Sequence, residues 1–134
     1  MTSIFTKIIN GEIPSYKVYE TDKFLAFLDV RPLKRGHVLC VPKMEVDYIF
    51  DLDDETYSEL MLFSKKVATA IKKTIPCKKV GVVVIGLEVP HAHVHLIPLD
   101  AIGDVNFSKF LTLTKEEMAE IASKINSELI ISTK

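Results

Sequence analysis

The run His91-Ala92-His93-Val94-His95-Leu96-Ile97 sets a histidine at every second position, with apolar residues between them. Side chains alternate between the two faces of a strand. His91, His93 and His95 therefore share one face, with neighbouring positions roughly 6.6 Å apart along the chain. Ala92, Val94 and Leu96 take the opposite face, toward a core, so a strand is expected from His91 to Pro98. Three of the four histidines in the chain fall on this one face, a concentration that chance polar decoration does not explain. Two chemistries suit it. Neutral imidazoles bind zinc, and three ligands plus water make a catalytic centre, but neighbours on one strand converge poorly and no nearby Cys or carboxylate completes a set. Nucleophilic catalysis at phosphorus fits better. Imidazole titrates near pH 6.5, so a neutral nucleophile can sit beside a charged neighbour. Cationic imidazoles and backbone amides can hold phosphate oxygens, and a nucleophilic ring splits one displacement into two.

Upstream, Val80-Gly81-Val82-Val83-Val84-Ile85 is almost wholly apolar and reads as a central strand covered on both faces. Gly86 to Pro90 is a loop. Asp51-Leu52-Asp53-Asp54 opens a long helix with an Asp N-cap. Tyr57, Leu60, Met61, Ser64, Val67, Ala68 and Ile71 form its apolar stripe. Lys65, Lys66, Lys72 and Lys73 load its C-terminal half, as the helix dipole favours, and Pro76 closes it. Earlier still, strands are expected over Ser15 to Glu20, Phe24 to Val30 and His37 to Val41, joined by turns at Thr21-Asp22-Lys23 and Lys34-Arg35-Gly36. Ile4 to Ile9 makes a short helix, ended by Asn10-Gly11 and Pro14. Downstream, Leu99 to Leu113 is a covering loop. Thr114-Lys115-Glu116-Glu117 is a capping box that starts a last helix, through about Leu129, with Met118, Ile121, Ala122, Ile125 and Leu129 on one face. The order of elements favours an α+β fold on an antiparallel sheet.

Length and composition agree with one globular domain: 134 residues, 48% hydrophobic and 26% charged. Seventeen basic and 18 acidic side chains give a net charge of -1. No global field favours nucleic acids or anionic membranes, although a small anion needs only a local site. No apolar stretch approaches the ~20 residues that cross a bilayer. The first seven residues lack a signal-peptide core, so a cytoplasmic location is expected. Cys40, inside Val38-Leu39-Cys40-Val41, is expected to be a buried free thiol.

The histidine run fits His-φ-His-φ-His-φ-φ and resembles the histidine triad (HIT) family. Phe5-x-Lys7-Ile8-Ile9-x-Gly11-Glu12-Ile13-Pro14, Ala26-Phe27-Leu28-Asp29-Val30-x-Pro32 and Gly36-His37-Val38-Leu39-x-Val41-Pro42-Lys43 resemble it too, in the right order. The likeness spans about residues 3–107, in the manner of the Hint-type nucleotide hydrolases and transferases, and leaves 108–134 as a C-terminal extension with a helix. It implies a HIT-like fold: a five-stranded antiparallel sheet, one long helix, a short N-terminal helix and, here, an extra C-terminal helix. It also implies roles. His93 attacks the α-phosphorus of a purine nucleotide, a strand carbonyl, that of His91, holds its other ring nitrogen, and His95 donates to phosphate oxygens. His91 and His37 support the site. Phe5, Ile8, Phe27 and Val30 sandwich the base, Ile4 borders it, and Asp29 accepts from the ribose hydroxyls. Glu88 and Val89 complete the nucleotide site from the loop before the triad.

The resemblance further implies that no metal is required, and a homodimer with helix 54–75 and the strand Val80 to Ile85 at its two-fold axis. A nucleotide-binding interaction module and a zinc-dependent hydrolase are the competing readings. The sequence departs from the family in one place. Members commonly carry Asn-x-Gly and then Gly-Gln-Ser or Gly-Gln-Glu before the histidines, whereas this chain has the shorter Val84-Ile85-Gly86-Leu87-Glu88-Val89-Pro90. Leu87 stands where Gln is common. Its side chain neither donates nor accepts a hydrogen bond. The leaving group (amine, nucleotide or sugar phosphate) is therefore left open.

Overall fold

Two strands carry no polar side chain and are buried along their whole length: β2 (Phe24–Leu28) and β3 (Val38–Pro42). Their alternation splits them between two apolar layers. Phe24, Ala26, Leu28, Val38 and Cys40 face the main core. Leu25, Phe27, Leu39 and Val41 face a smaller cluster with Phe5 and Ile8 of the short helix α1 (Ile4–Ile9). The sheet is therefore covered on both sides at its centre. The computed structural model describes residues 2–132, with side chains through Ile130. Around the two central strands lie β1 (Lys17–Glu20), β4 (Lys79–Val83) and β5 (Val94–Leu99), the long helix α2 (Asp54–Thr74) and the last helix α3 (Lys115–Ser132). The five strands are antiparallel in the order β1-β2-β3-β5-β4, the α+β architecture expected.

Helix α2 is capped by Asp53, which accepts the Thr56 N–H. It buries Leu60, Phe63, Ser64, Val67, Ala70 and Ile71. The buried stripe thus includes Phe63 and Ala70, while the expected Tyr57, Met61 and Ala68 only flank it. Helix α3 begins at the expected capping box. The Thr114 N–H donates to Glu117 and the Glu117 N–H donates back to Thr114 Oγ1. Met118, Ile121, Ala122, Ile125 and Leu129 join the main core, and Asn126 donates to the Val18 carbonyl of β1 at 2.7 Å. The segment after the triad therefore completes the same core.

Two expectations are corrected. The Val80 to Ile85 run is not a central strand. Its first part forms β4, which ends at Val83 and lies at the sheet edge with β5 as its one partner among the described residues, and Val82, Val84 and Ile85 are exposed. A continuous apolar run marks a strand that something covers, but not whether the cover comes from the same chain. Second, β5 begins at Val94. His91 to His93 are outside the ladder, and the Ala92 N–H is taken by the Val46 carbonyl at 2.7 Å. The alternation still holds across the break: Ala92, Val94 and Leu96 lie in the main core. No helix among the described residues is long and apolar enough to cross a membrane.

Candidate active site

Each histidine is aimed by a backbone feature. His37 follows Gly36, whose φ is +91° and where an added Cβ would stand 2.8 Å from Ile75 Cγ1. This tight turn, which glycine alone adopts without strain, folds His37 back so that the Leu33 N–H donates to its Nδ1 at 3.0 Å. A nitrogen that accepts carries no hydrogen, so the neutral ring bears its proton on Nε2. That proton is donated to His95 Nδ1, 3.0 Å away. His95 must then carry its own proton on Nε2. A backbone amide thus sets two tautomers in series and leaves His95 Nε2–H as a donor.

His93 is set in the opposite sense. Its Nδ1 lies 2.7 Å from the His91 carbonyl, which can only accept, so Nδ1 bears the proton and Nε2 bears the lone pair. Among the described residues the one buried side-chain N or O atom without a partner is Ser64 Oγ. His93 Nε2, which has no hydrogen-bond partner there, is therefore not sealed from solvent. His91 is held at both nitrogens. Its Nε2–H donates to the Pro42 carbonyl at 2.7 Å, and Ser3 Oγ sits 2.7 Å from Nδ1. Phe5 packs its ring edge-on against His93, with centroids 4.9 Å apart, and Phe107 does the same to His95 at 5.1 Å.

All three triad rings and His37 are buried, and burial favours the neutral form. It holds His93 below the ordinary imidazole range, against the opposing pull of the His91 carbonyl. It takes His95 to about 4 and His37 to about 3, each helped by a neighbouring histidine. This corrects the expected pairing of a neutral nucleophile with a cationic neighbour: in the free protein His37, His93 and His95 are all neutral at pH 7. Burial also pushes the Asp29 carboxyl upward, opposed by the Arg31 N–H that donates to Oδ1 at 2.9 Å. Asp29 Oδ2 lies 3.6 Å from His37 Nε2, so the expected ribose acceptor does stand beside the triad.

The apolar residues separate into two groups. Phe5, Ile8 and Phe27 are brought together and buried, with Val89 packed against them. Val30 and Ile4 stand outside that cluster, 70% and 49% exposed. In the loop before the triad Leu87 is 89% exposed. Glu88 is also exposed, yet its charge reaches both His93 and Asp29. Ser3, Thr6 and Glu45 were not expected at the site. Ser3 and Thr6 place their hydroxyls against His91 Nδ1, and Glu45 accepts from both residues; the only sequence signal was the short helix that Ser3 caps. Cys40 is a buried free thiol as expected, its pKa pushed up to about 12 by burial.

Asp29, His37 and His95 place ligand-type atoms within 4.8 Å of one another, and the donor set tests poorly for zinc. His37 Nε2 could bind an ion only if Nδ1 took the proton, which would then face the Leu33 N–H, donor against donor. Zinc would need the hydrogen bond from the Leu33 N–H broken.

A family model described as the HIT domain matches residues 10–102. An uncharacterised HIT-like protein of Borreliella burgdorferi is 37% identical over 94% of this chain and 97% of its own length. An adenosine 5'-monophosphoramidase of Saccharomyces cerevisiae is 41% identical over 71% of this chain and 61% of its own length. Among solved structures, a Hit-like protein involved in cell-cycle regulation from Bartonella henselae superposes with a TM-score of 0.84 at 32% identity, covering 95% of this chain and 96% of that one.

Proposed function

The chain belongs to the HIT family, and from that premise we propose that it is a nucleotide hydrolase or transferase acting at the α-phosphate through a nucleotidyl-His93 intermediate. The observation that carries the reading is the His93 ring itself. Its Nδ1 proton is committed to the His91 carbonyl, and its Nε2 lone pair is open. A neutral imidazole with a fixed, unprotonated nitrogen is a nucleophile at pH 7. In the first step Nε2 bonds to the α-phosphorus and the bond to the leaving group breaks, its electron pair leaving with that group, which takes up a proton. In the second step water attacks the same phosphorus, loses a proton and frees His93 with release of the nucleoside monophosphate. His95 Nε2–H donates to a non-bridging oxygen in both steps. His95 does so as a neutral ring, because a second proton, on Nδ1, would face the His37 Nε2–H, donor against donor. Asp29 holds the ribose, and the cluster of Phe5, Ile8 and Phe27 with Val89 takes a flat purine.

A nucleoside phosphoramidate is the favoured substrate class. The yeast relative named for adenosine 5'-monophosphoramidase activity supports it. So does Glu88, an exposed carboxylate in the loop just before the triad, whose charge is weakly felt at His93 and Asp29. A carboxylate there suits a leaving amine and repels the polyphosphate of a dinucleotide. The exposed Leu87 favours the second reading, a nucleotide-binding module with little catalysis. A screen of AMP and GMP phosphoramidates against dinucleoside polyphosphates separates the two. Turnover of the phosphoramidates is expected, and none with any of these substrates would leave the binding module. Turnover is also expected to survive exhaustive chelation, because no step passes through a metal. Activity lost with EDTA and restored by zinc would return the zinc hydrolase.

The edge strand supports a homodimer. Val82 of β4, and Val84 and Ile85 just beyond its end, are apolar and exposed, and β4 is unpaired on one side among the described residues; an exposed apolar edge invites a second strand. A two-fold pairing there would continue the sheet across subunits and place α2 nearby. Light scattering is expected to return twice the 15.1 kDa chain mass, and a monomeric mass would refute it.

A further inference from the structure

The N-terminal helix reaches the triad through a chain of hydroxyls that the reaction above does not use. Ser3, itself buried, is fixed from several directions. Its N–H donates to Glu45 Oε1 at 2.7 Å, its Oγ accepts the Thr6 N–H at 3.0 Å, and the same Oγ lies 2.7 Å from His91 Nδ1. Thr6 Oγ1 is 3.2 Å from Ser3 Oγ and donates to Glu45 Oε1 at 2.6 Å. We propose that Ser3, Thr6 and Glu45 are positioning residues that clamp the His91 ring in either protonation state and, through the His91 carbonyl, aim His93.

Donor and acceptor counting shows why this arrangement works as a clamp. The Pro42 carbonyl can only accept, so His91 Nε2 always bears a hydrogen. An ionised carboxylate can only accept, so the Thr6 hydroxyl always gives its hydrogen to Glu45. The Ser3 hydroxyl is the one rotor between these fixed ends. With His91 neutral, Ser3 donates to Nδ1. With His91 protonated, Nδ1–H donates to Ser3 Oγ and the Ser3 hydrogen turns to Thr6 Oγ1. No donor meets a donor in either state, and the charge of a protonated ring is answered by Glu45 two hydroxyls away. The ring, held at both nitrogens and buried, keeps its backbone in place. That backbone supplies the carbonyl 2.7 Å from His93 Nδ1. Ser3 also caps α1, whose Phe5 packs against both His91 and His93. One cap thereby ties the base cluster to the nucleophile.

The inference rests on His93 being the attacking group, and its test separates the two claims. Ser3→Gly removes the hydroxyl, while glycine caps a helix nearly as well as serine. With an AMP phosphoramidate, kcat is expected to fall about tenfold to hundredfold, as misaimed catalytic groups do. AMP affinity should stay within about twofold, because the base cluster and Asp29 are untouched. Glu45→Gln, which keeps an acceptor oxygen but drops the charge, is expected to lower kcat as well. A Ser3→Gly enzyme with unchanged kcat, or one whose loss lies wholly in affinity, would overturn the proposal, and so would an unaffected Glu45→Gln enzyme. Nitrogen-15 spectra of the His91 ring give a readout independent of activity. The Nδ1 resonance is expected to move in Ser3→Gly toward that of an imine nitrogen without a hydrogen bond. An unmoved resonance refutes the clamp. A moved resonance in a protein that turns over no phosphoramidate upholds the clamp and refutes the proposed reaction.

Discussion

Replacing His93 with alanine is expected to lower turnover of a nucleoside phosphoramidate by roughly a thousandfold or more, the scale on which removal of a nucleophile acts. Nucleotide binding should survive. Of the groups assigned to base and ribose (Phe5, Ile8, Phe27 and Asp29), only Phe5 touches the His93 ring, and it keeps its place on α1 and its packing against Phe27 without it. The fold should survive too, because the ring faces away from the main core and its single hydrogen bond is to the His91 carbonyl. Rapid-quench mass spectrometry tests the chemistry behind this loss. Wild-type protein mixed with substrate should carry one nucleotidyl group, and the alanine variant none. An active variant, or an adduct that persists without His93, would move the nucleophile elsewhere.

Much of this site is legible in the sequence because period-2 spacing is a geometric property of extended chain. It places His91, His93 and His95 on one face even though the first two lie outside the β5 ladder. The capping boxes and caps are legible because they are local, as Asp53 and the Thr114–Glu117 pair show. What was hidden depends on residues far apart in the chain. Ser3 meets Glu45 and His91 across 42 and 88 positions, and short polar side chains at such distances leave no periodic trace. The tautomer series from the Leu33 N–H through His37 to His95 is hidden for the same reason. The protonation states were misread because imidazole alone predicts a charge near pH 7, while burial decides it. The placement of β4 was misread because apolar β-branched runs look alike whether their cover is this chain's core or a second copy.

Folding stability is expected to fall steeply as pH drops from 6.5 to 5. His37, His93 and His95 all have folded pKa values below the ordinary 6.5, at about 3 for His37, about 4 for His95 and lowered for His93. The unfolded chain therefore binds more protons than the folded one in this window, and stability rises with pH wherever that is so. The contribution is fully present above 6.5 and is lost as pH falls toward each folded value. Each histidine costs about 1.4 kcal/mol per pH unit once its unfolded form is protonated. His37 and His95 together should remove about 3 kcal/mol by pH 5, a large part of the roughly 5–15 kcal/mol that holds a domain together. The carboxylates with lowered values, Glu20, Glu45, Asp53, Asp104 and Glu117, start from 4.5 or 3.8 and act mainly at lower pH. Asp29, with its raised value, works in the opposite sense. The interval from 6.5 to 5 thus reads mainly the histidines. Urea unfolding at a series of pH values measures the effect, and His37→Gln supplies the control. Gln can still accept the Leu33 N–H, but it cannot titrate, so its stability profile should be shallower by close to one proton. A wild-type profile flat between 6.5 and 5 would mean that these rings are not held neutral. The tautomer series that leaves His95 Nε2–H as a donor would then lose its basis, because a protonated His37 can no longer accept from Leu33.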